Sequence, residues 1–145
     1  WVRDTLQSDL EALFPSVAVK CSKTFTRRAG NLVHLCNELS VKVHQVNTIA
    51  LLKKLHPTPA VGGIPVAEGM RFLKEHEKLD RGYYTGFLGP VKKEYQIDLF
   101  VNLRCAQIIS EGLQLYVGAG ITKESDPEKE WEETQNKAKT LLAAL

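Results

Sequence analysis

Tyr95-Gln96-Ile97-Asp98-Leu99-Phe100-Val101-Asn102-Leu103-Arg104-Cys105 is the longest strict alternation in the chain, and its reading decides the fold class. Tyr95, Ile97, Leu99, Val101, Leu103 and Cys105 share one face of an extended segment, while Gln96, Asp98, Phe100, Asn102 and Arg104 share the other. Successive side chains of a strand point to opposite faces, so this period of two predicts a long, half-buried central strand. Leu113, Leu115 and Val117 predict a further strand. Its end passes through Gly118-Ala119-Gly120 into Ser125-Asp126-Pro127-Glu128, where Asp or Ser ahead of a proline signals a helix start. That last helix is expected to reach Leu145.

Toward the N-terminus, Val2, Leu6, Leu10 and Leu13 fall on one face of an amphipathic helix that Pro15 should end. Val17-Ala18-Val19 predicts a short strand, and residues 38–44 alternate as a second half-buried one. Thr48 is expected to cap a brief helix through Leu55. Residues 55–65, LHPTPAVGGIP, contain three prolines and two adjacent glycines, which predicts a loop of defined shape, with no helix or strand. A helix resumes at Val66, with Val66, Met70 and Leu73 on one face. Helices and strands mix without a regular βαβ repeat, so the expected class is α+β with antiparallel pairing, in one domain covering residues 1–145.

The 145 residues are 43% hydrophobic and 25% charged, the ordinary range of a globular domain, which excludes low-complexity disorder. No apolar run approaches the roughly 20 residues of a membrane helix, so no membrane partner is expected. Nineteen Lys+Arg against seventeen Asp+Glu give +2 with the signs interspersed, and nucleic acid is not an expected partner. Cys21, Cys36 and Cys105 fit neither a disulfide framework nor a CxxC metal site, and they point to a reducing, cytoplasmic setting. The chain opens on Trp1 inside a running helical pattern and reads as part of something longer.

Placing the last helix at about 100° per residue separates three stripes. Trp131, Thr134, Ala138, Leu141, Leu142 and Leu145 form the apolar one, and Glu128, Lys129, Glu132, Gln135, Asn136 and Lys139 face water. Glu130, Glu133 and Lys137 run along one shoulder of the apolar face. One reading is an ordinary boundary stripe with a helix-stabilising Glu133–Lys137 pair. The other is a pair of oxygen ligands for a hard cation such as Mg²⁺, with Lys137 meeting an anionic group. Periodicity leaves both open. Gly118-Ala119-Gly120 suits either a strand-end turn or close backbone approach to an anion. Arg104, at the end of the long strand, is either solvated or a bidentate carboxylate grip. Asp80-Arg81-Gly82-Tyr83-Tyr84-Thr85-Gly86 sets an aromatic hydroxyl among glycines. His34, His44, His56 and His76 share no metal-like spacing, and no nucleophile motif stands out.

In this order, six segments resemble the C-terminal part of the chorismate-utilising enzymes, which include isochorismate, salicylate, anthranilate and aminodeoxychorismate synthases. They are His34-Leu35, LHPTPAVGGIP (55–65), RGYYTG (81–86), VNLRCA (101–106), YVGAGIT (116–122) and SDPEKEWEETQNK (125–137). The resemblance implies that Glu133 is a Mg²⁺ ligand with Glu130 close to the metal and its waters. It further implies that Tyr84, Arg104 and Lys137 engage the carboxylates of chorismate, aided by backbone groups at Gly118, Ala119 and Gly120 and near Ala60. The implied fold is two stacked antiparallel sheets flanked by helices, of which this chain supplies part.

Within the family the 55–65 loop is most like that of isochorismate synthases. Val66 stands where anthranilate-type members carry lysine, and Ala60 where salicylate synthases carry threonine. The implied reaction adds water at C2 of chorismate as the C4 hydroxyl departs, feeding menaquinone or a catecholate siderophore. The family's base lysine, acid glutamate and a further metal glutamate belong to segments ahead of the equivalent of Trp1, so the 145 residues alone are expected to be inactive. Asn37 departs from the threonine usual in its motif. The alternatives are a non-catalytic chorismate-binding module and a salicylate-type isomerase-lyase. Unpaired strand edges make a homodimer an expected association.

Overall fold

A computed structural model describes residues 1–29, 32–92 and 96–143. The chain divides into two compact units, Trp1–Ala67 and Glu68–Leu145. Both combine helices with antiparallel strand pairs, and the class is α+β as expected.

The first unit opens with α1, Val2–Leu13, whose Leu6, Leu10 and Leu13 are half-buried. It ends one residue before the turn containing Pro15, and it packs against α2, Thr48–Leu55, and α3, Pro59–Gly62. Lys54 of α2 pairs with Asp9 of α1 at 2.7 Å. The cap of α2 is Asn47, whose side chain accepts from the Ala50 N–H at 3.0 Å, so Thr48 is the first helical residue and not the cap. The proline-rich 55–65 segment departs from the expected loop by holding one helical turn, α3: Pro59 occupies its first position, where no N–H is needed, and is buried.

Four short strands complete this unit: β1 Lys20–Cys21, β2 Phe25–Ala29, β3 Leu32–Cys36 and β4 Leu39–Ser40. β2 pairs with β3 from Phe25↔Cys36 onward, and β1 pairs with β4 outside them as Cys21↔Leu39. Between the ladders, residues 22–24 face 37–38, one residue more on the first side, which is the arithmetic of a bulge. Asn37 fastens it: its amide donates to the Ser22 carbonyl at 3.2 Å and to Thr24 Oγ1 at 3.1 Å. The strand expected at 17–19 begins only at Lys20, and the one expected over 38–44 keeps ladder bonds only at Leu39–Ser40. Its alternation survives in burial, with Val41 and Val43 half-buried and Lys42 and His44 exposed.

The second unit takes in most of α4, Val66–His76, then β5 Phe87–Leu88, β6 Phe100–Val101, β7 Cys105–Ile109, β8 Gly112–Tyr116 and α5 Pro127–Leu142. The long central strand expected over 95–105 is not continuous. Tyr95 lies outside the described residues, Ile97 makes an isolated bridge to Val91, β6 pairs with β5, and β7 pairs with β8. The break falls at Arg104, whose φ of 51° is left-handed. A residue in that conformation turns the chain out of the pleat, so one alternating stretch serves two ladders. Asn102 ties the RGYYTG turn to this stretch: its backbone exchanges bonds with Thr85 and Gly86 at 2.8 and 2.7 Å, and its amide donates to the Tyr83 carbonyl at 2.8 Å.

Asp126 caps α5, accepting from Glu128 N and Lys129 N at 3.0 and 3.1 Å, with Pro127 at the first position as expected. The apolar stripe of α5 is less covered than its spacing predicts: Thr134, Ala138 and Leu141 are half-buried, but Trp131 is 68% exposed and Leu142 is exposed too, while Leu145 lies outside the described residues. Among the described residues the second unit buries Tyr116, at 8% exposure, as the first buries Pro59 and Gly62. Among the described residues no helix is long and apolar enough to cross a membrane, and all three cysteines are free thiols.

Candidate functional site

The corner at which β8 runs into α5 gathers several of the expected residues. Lys137 of α5 reaches back so that its Nζ donates to the Gly118 carbonyl at 2.8 Å, and it pairs with Glu133 Oε1 at 2.5 Å. The i,i+4 spacing places both groups on one face, the shoulder stripe read from periodicity. Lys137 is the more covered partner.

Tyr84 comes to the same backbone point from the RGYYTG turn. A Cβ built on Gly118 would stand 2.7 Å from the Tyr84 hydroxyl, the tip of that side chain, so the phenol would have to shift to admit one. Among the described residues a Cβ at Gly120 would meet nothing, which distinguishes the two glycines of one motif: the first has the phenol against it, the second has no neighbour there. The Tyr84 ring leans on buried Tyr116, with centroids 5.7 Å apart, and Tyr116 donates its hydroxyl proton to Gln107 Oε1 at 3.0 Å. Burial pushes the Tyr84 phenol above its ordinary value, with the Arg81 guanidinium opposing the shift. At neutral pH Tyr84 is therefore a hydroxyl donor.

Glu130 lies one turn before Glu133 and is half-buried. It accepts a hydrogen bond from Ser125 Oγ at 2.6 Å. Ala119 is half-buried and Gly120 exposed, directly after Gly118. Arg104 is half-buried in its left-handed turn, and among the described residues its guanidinium has no hydrogen bond or ion pair. Ala60 belongs to the first unit, exposed on α3. The structure thus brings Tyr84, Gly118, Lys137 and Glu133 into one contiguous set.

Hard carboxylate oxygens are the right donors for Mg²⁺, which retains waters and needs few protein ligands. Among the described residues no group of three or more His, Cys, Asp or Glu side chains converges on one point. Glu130 and Glu133 are the carboxylates of this corner that could offer oxygens to a hydrated hard cation.

Two features escaped sequence reasoning. Arg81 forms a fork on Glu77, with contacts of 2.7, 2.9 and 3.0 Å, reaches Thr85 Oγ1 at 3.2 Å, and lies 6.0 Å from the Tyr84 ring centre. The second is Ser125, whose only sequence mark was its place beside the helix cap. A cleft of about 790 Å³ runs past Arg81, Tyr84, Cys105 and Tyr116 and borders none of the other expected substrate residues.

The family model for chorismate binding enzymes matches residues 1–145. Over 148 residues the chain is 36% identical to a Mycobacterium tuberculosis protein provisionally named isochorismate synthase MenF, covering 99% of this chain and 39% of that protein. Over 115 residues it is 41% identical to the vibriobactin-specific isochorismate synthase of Vibrio cholerae, covering 78% of this chain and 29% of that one. A Bacillus anthracis crystal structure, provisionally assigned as the 2,3-dihydroxybenzoate-specific isochorismate synthase DhbC, matches with a TM-score of 0.81 at 31% identity, over 97% of this chain and 39% of that chain. The chain spans well under half the length of each of these proteins. With the family model matched from first residue to last, the chain belongs to the chorismate binding enzymes.

Proposed function

We infer that the second unit supplies the substrate-carboxylate and divalent-cation side of an isochorismate synthase. The observation that carries this reading is Lys137, held between the Glu133 carboxylate and the Gly118 carbonyl, with the Tyr84 hydroxyl lying against the Cα side of the same glycine. Charge supports it. Lys137 and Arg104 are two cations, Glu130 and Glu133 two anions, and chorismate is a dicarboxylate, so a site holding all of them is short of two positive charges. A divalent cation supplies them, and uncompensated charge in a partly desolvated site is costly.

In this reading Arg104 takes one substrate carboxylate in its planar fork, Lys137 meets the other, and the Tyr84 O–H donates to it. Glu130 and Glu133 hold Mg²⁺, which when bound neutralises a substrate carboxylate and fixes its orientation. The reaction proposed is isomerisation of chorismate to isochorismate, with water entering at C2 and the C4 hydroxyl leaving. That exchange needs a base for the water and an acid for the leaving group. Lys137 is occupied as a donor to an anion and a carbonyl, and Glu130 as an acceptor from Ser125, so these residues grip and do not relay protons. The base and acid belong to the segment that the resemblance places ahead of Trp1, and the 145 residues alone bind without turnover.

Chromatography of chorismate incubated with Mg²⁺ tests this. The 145-residue chain should leave chorismate intact, and the chain joined to the preceding segment of a relative's domain should yield isochorismate, which Glu133→Ala should abolish. Product from the chain alone would overturn the division of labour. Salicylate and pyruvate from the joined protein would replace isomerase by isomerase-lyase. Intact chorismate with a folded joined protein would leave only a binding module.

A further inference from the structure

Ser125 sits immediately before the α5 cap Asp126, and Glu130 is five residues later, the fourth helical residue. These are the two positions that an apolar staple joins across many helix starts, one just before the cap and one at the fourth helical residue. Here the staple is a hydrogen bond: Ser125 Oγ donates to Glu130 Oε1 at 2.6 Å, the shortest side-chain bond that either residue makes. The direction of this bond is set from behind. The Thr122 N–H donates to Ser125 Oγ at 2.9 Å, and the Ser125 N–H donates to the Thr122 carbonyl at 3.1 Å. With its oxygen already accepting, the serine hydroxyl turns its proton toward the carboxylate. One oxygen of Glu130 is thereby fixed on a half-buried side chain, and the second remains available.

We propose that Ser125 is a positioning residue for the divalent-cation site, orienting the Glu130 carboxylate through the Thr122–Ser125–Glu130 chain of hydrogen bonds. The inference rests on the assignment of Glu130 and Glu133 to the cation made above. Carboxylates that ligate or face a metal are themselves commonly held by hydrogen bonds, and removing such a partner typically weakens metal affinity by about 10- to 100-fold. A staple that merely fixed the helix entry would change helix stability and leave cation affinity alone.

Mn²⁺ binding to the chain joined to the preceding segment of a relative's domain, followed by electron paramagnetic resonance of the free ion, separates these roles, with thermal melting and far-ultraviolet circular dichroism run beside it. Ser125→Ala is expected to weaken Mn²⁺ by about 10-fold or more while retaining helicity. Ser125→Thr, which keeps the hydroxyl, should recover most of the affinity. Equal Mn²⁺ affinity in the wild type and Ser125→Ala overturns the positioning role while leaving the cation site standing. Weakening that Ser125→Thr does not recover, or that tracks lost helicity in both variants, also overturns it. A wild type that binds no Mn²⁺ overturns the cation assignment itself, and the positioning role with it.

Discussion

Arg81 and Arg104 stand at two turns of the second unit and meet opposite surroundings. Arg81 is forked onto Glu77 and bonded to Thr85 beside the Tyr84 ring. Arg104, equally half-buried, finds no partner among the described residues and holds a left-handed backbone conformation that costs of order 1–3 kcal/mol outside glycine. A guanidinium satisfied within the chain maintains a turn, whereas one left unmatched and partly withdrawn from water is complementary to an anion that arrives later. Both arginines sit in motifs of similar appearance, and the structure separates them by their partners.

The contrast can be broken at either arginine. Arg104→Ala should weaken chorismate binding by about 2–4 kcal/mol, roughly 30- to 1,000-fold by calorimetric titration, with a melting temperature close to the wild type. Arg81→Ala should do the reverse. Loss of a charged hydrogen-bonded pair that is about three-quarters covered costs about 1.5–3 kcal/mol, so the melting temperature should fall by roughly 3–10 °C. An Arg81→Ala protein that melts normally but binds poorly would erase the distinction.

Gly118→Ala sharpens the comparison on the tyrosine side. The added methyl meets the Tyr84 hydroxyl, and the phenol must shift, at a cost of about 1 kcal/mol in melting experiments, the low end of overpacking because Gly118 is exposed. Gly120→Ala, whose methyl meets nothing within the chain, should melt as the wild type does. The smallest effect concerns pH. Burial raises the Tyr84 phenol above its unfolded value of about 10, so its contribution is fully present below pH about 10 and is lost as pH climbs through the folded value. Tyr84→Phe lacks that group, and its melting temperature should decline less steeply than the wild type's between pH 9 and 11.

Elements governed by local rules were legible in the sequence. Asp126-Pro127 starts α5 because cap and proline chemistry act within one turn, and Pro15 closes α1 for the same reason. The failures share a different cause. Residues 95–105 alternate without interruption, yet a single positive φ at Arg104 divides the stretch between two ladders, and period-two patterning carries no mark of which partner each half meets. The hairpin of β2 and β3 was missed because Arg27, Arg28 and His34 blur its alternation.

The site divides in the same way. Glu133 and Lys137 were readable as neighbours from helical spacing, whereas the meeting of Tyr84 with Gly118 joins positions 34 residues apart and depends on tertiary contact. Periodicity left the shoulder of α5 between an ordinary boundary stripe and a cation site. The structure adds the Gly118 carbonyl on Lys137 and the hydroxyl of Ser125 on Glu130, contacts to residues outside α5 that helical spacing could not show.

The most direct measurement of the central claim is calorimetric titration of chorismate into the 145-residue chain, with Mg²⁺ present and with Mg²⁺ chelated, for the wild type and for Lys137→Ala. The account predicts binding that Mg²⁺ tightens and that Lys137→Ala removes while the fold, followed by circular dichroism, persists. Absence of binding by the folded wild type, or binding that neither Mg²⁺ nor Lys137→Ala changes, would contradict it.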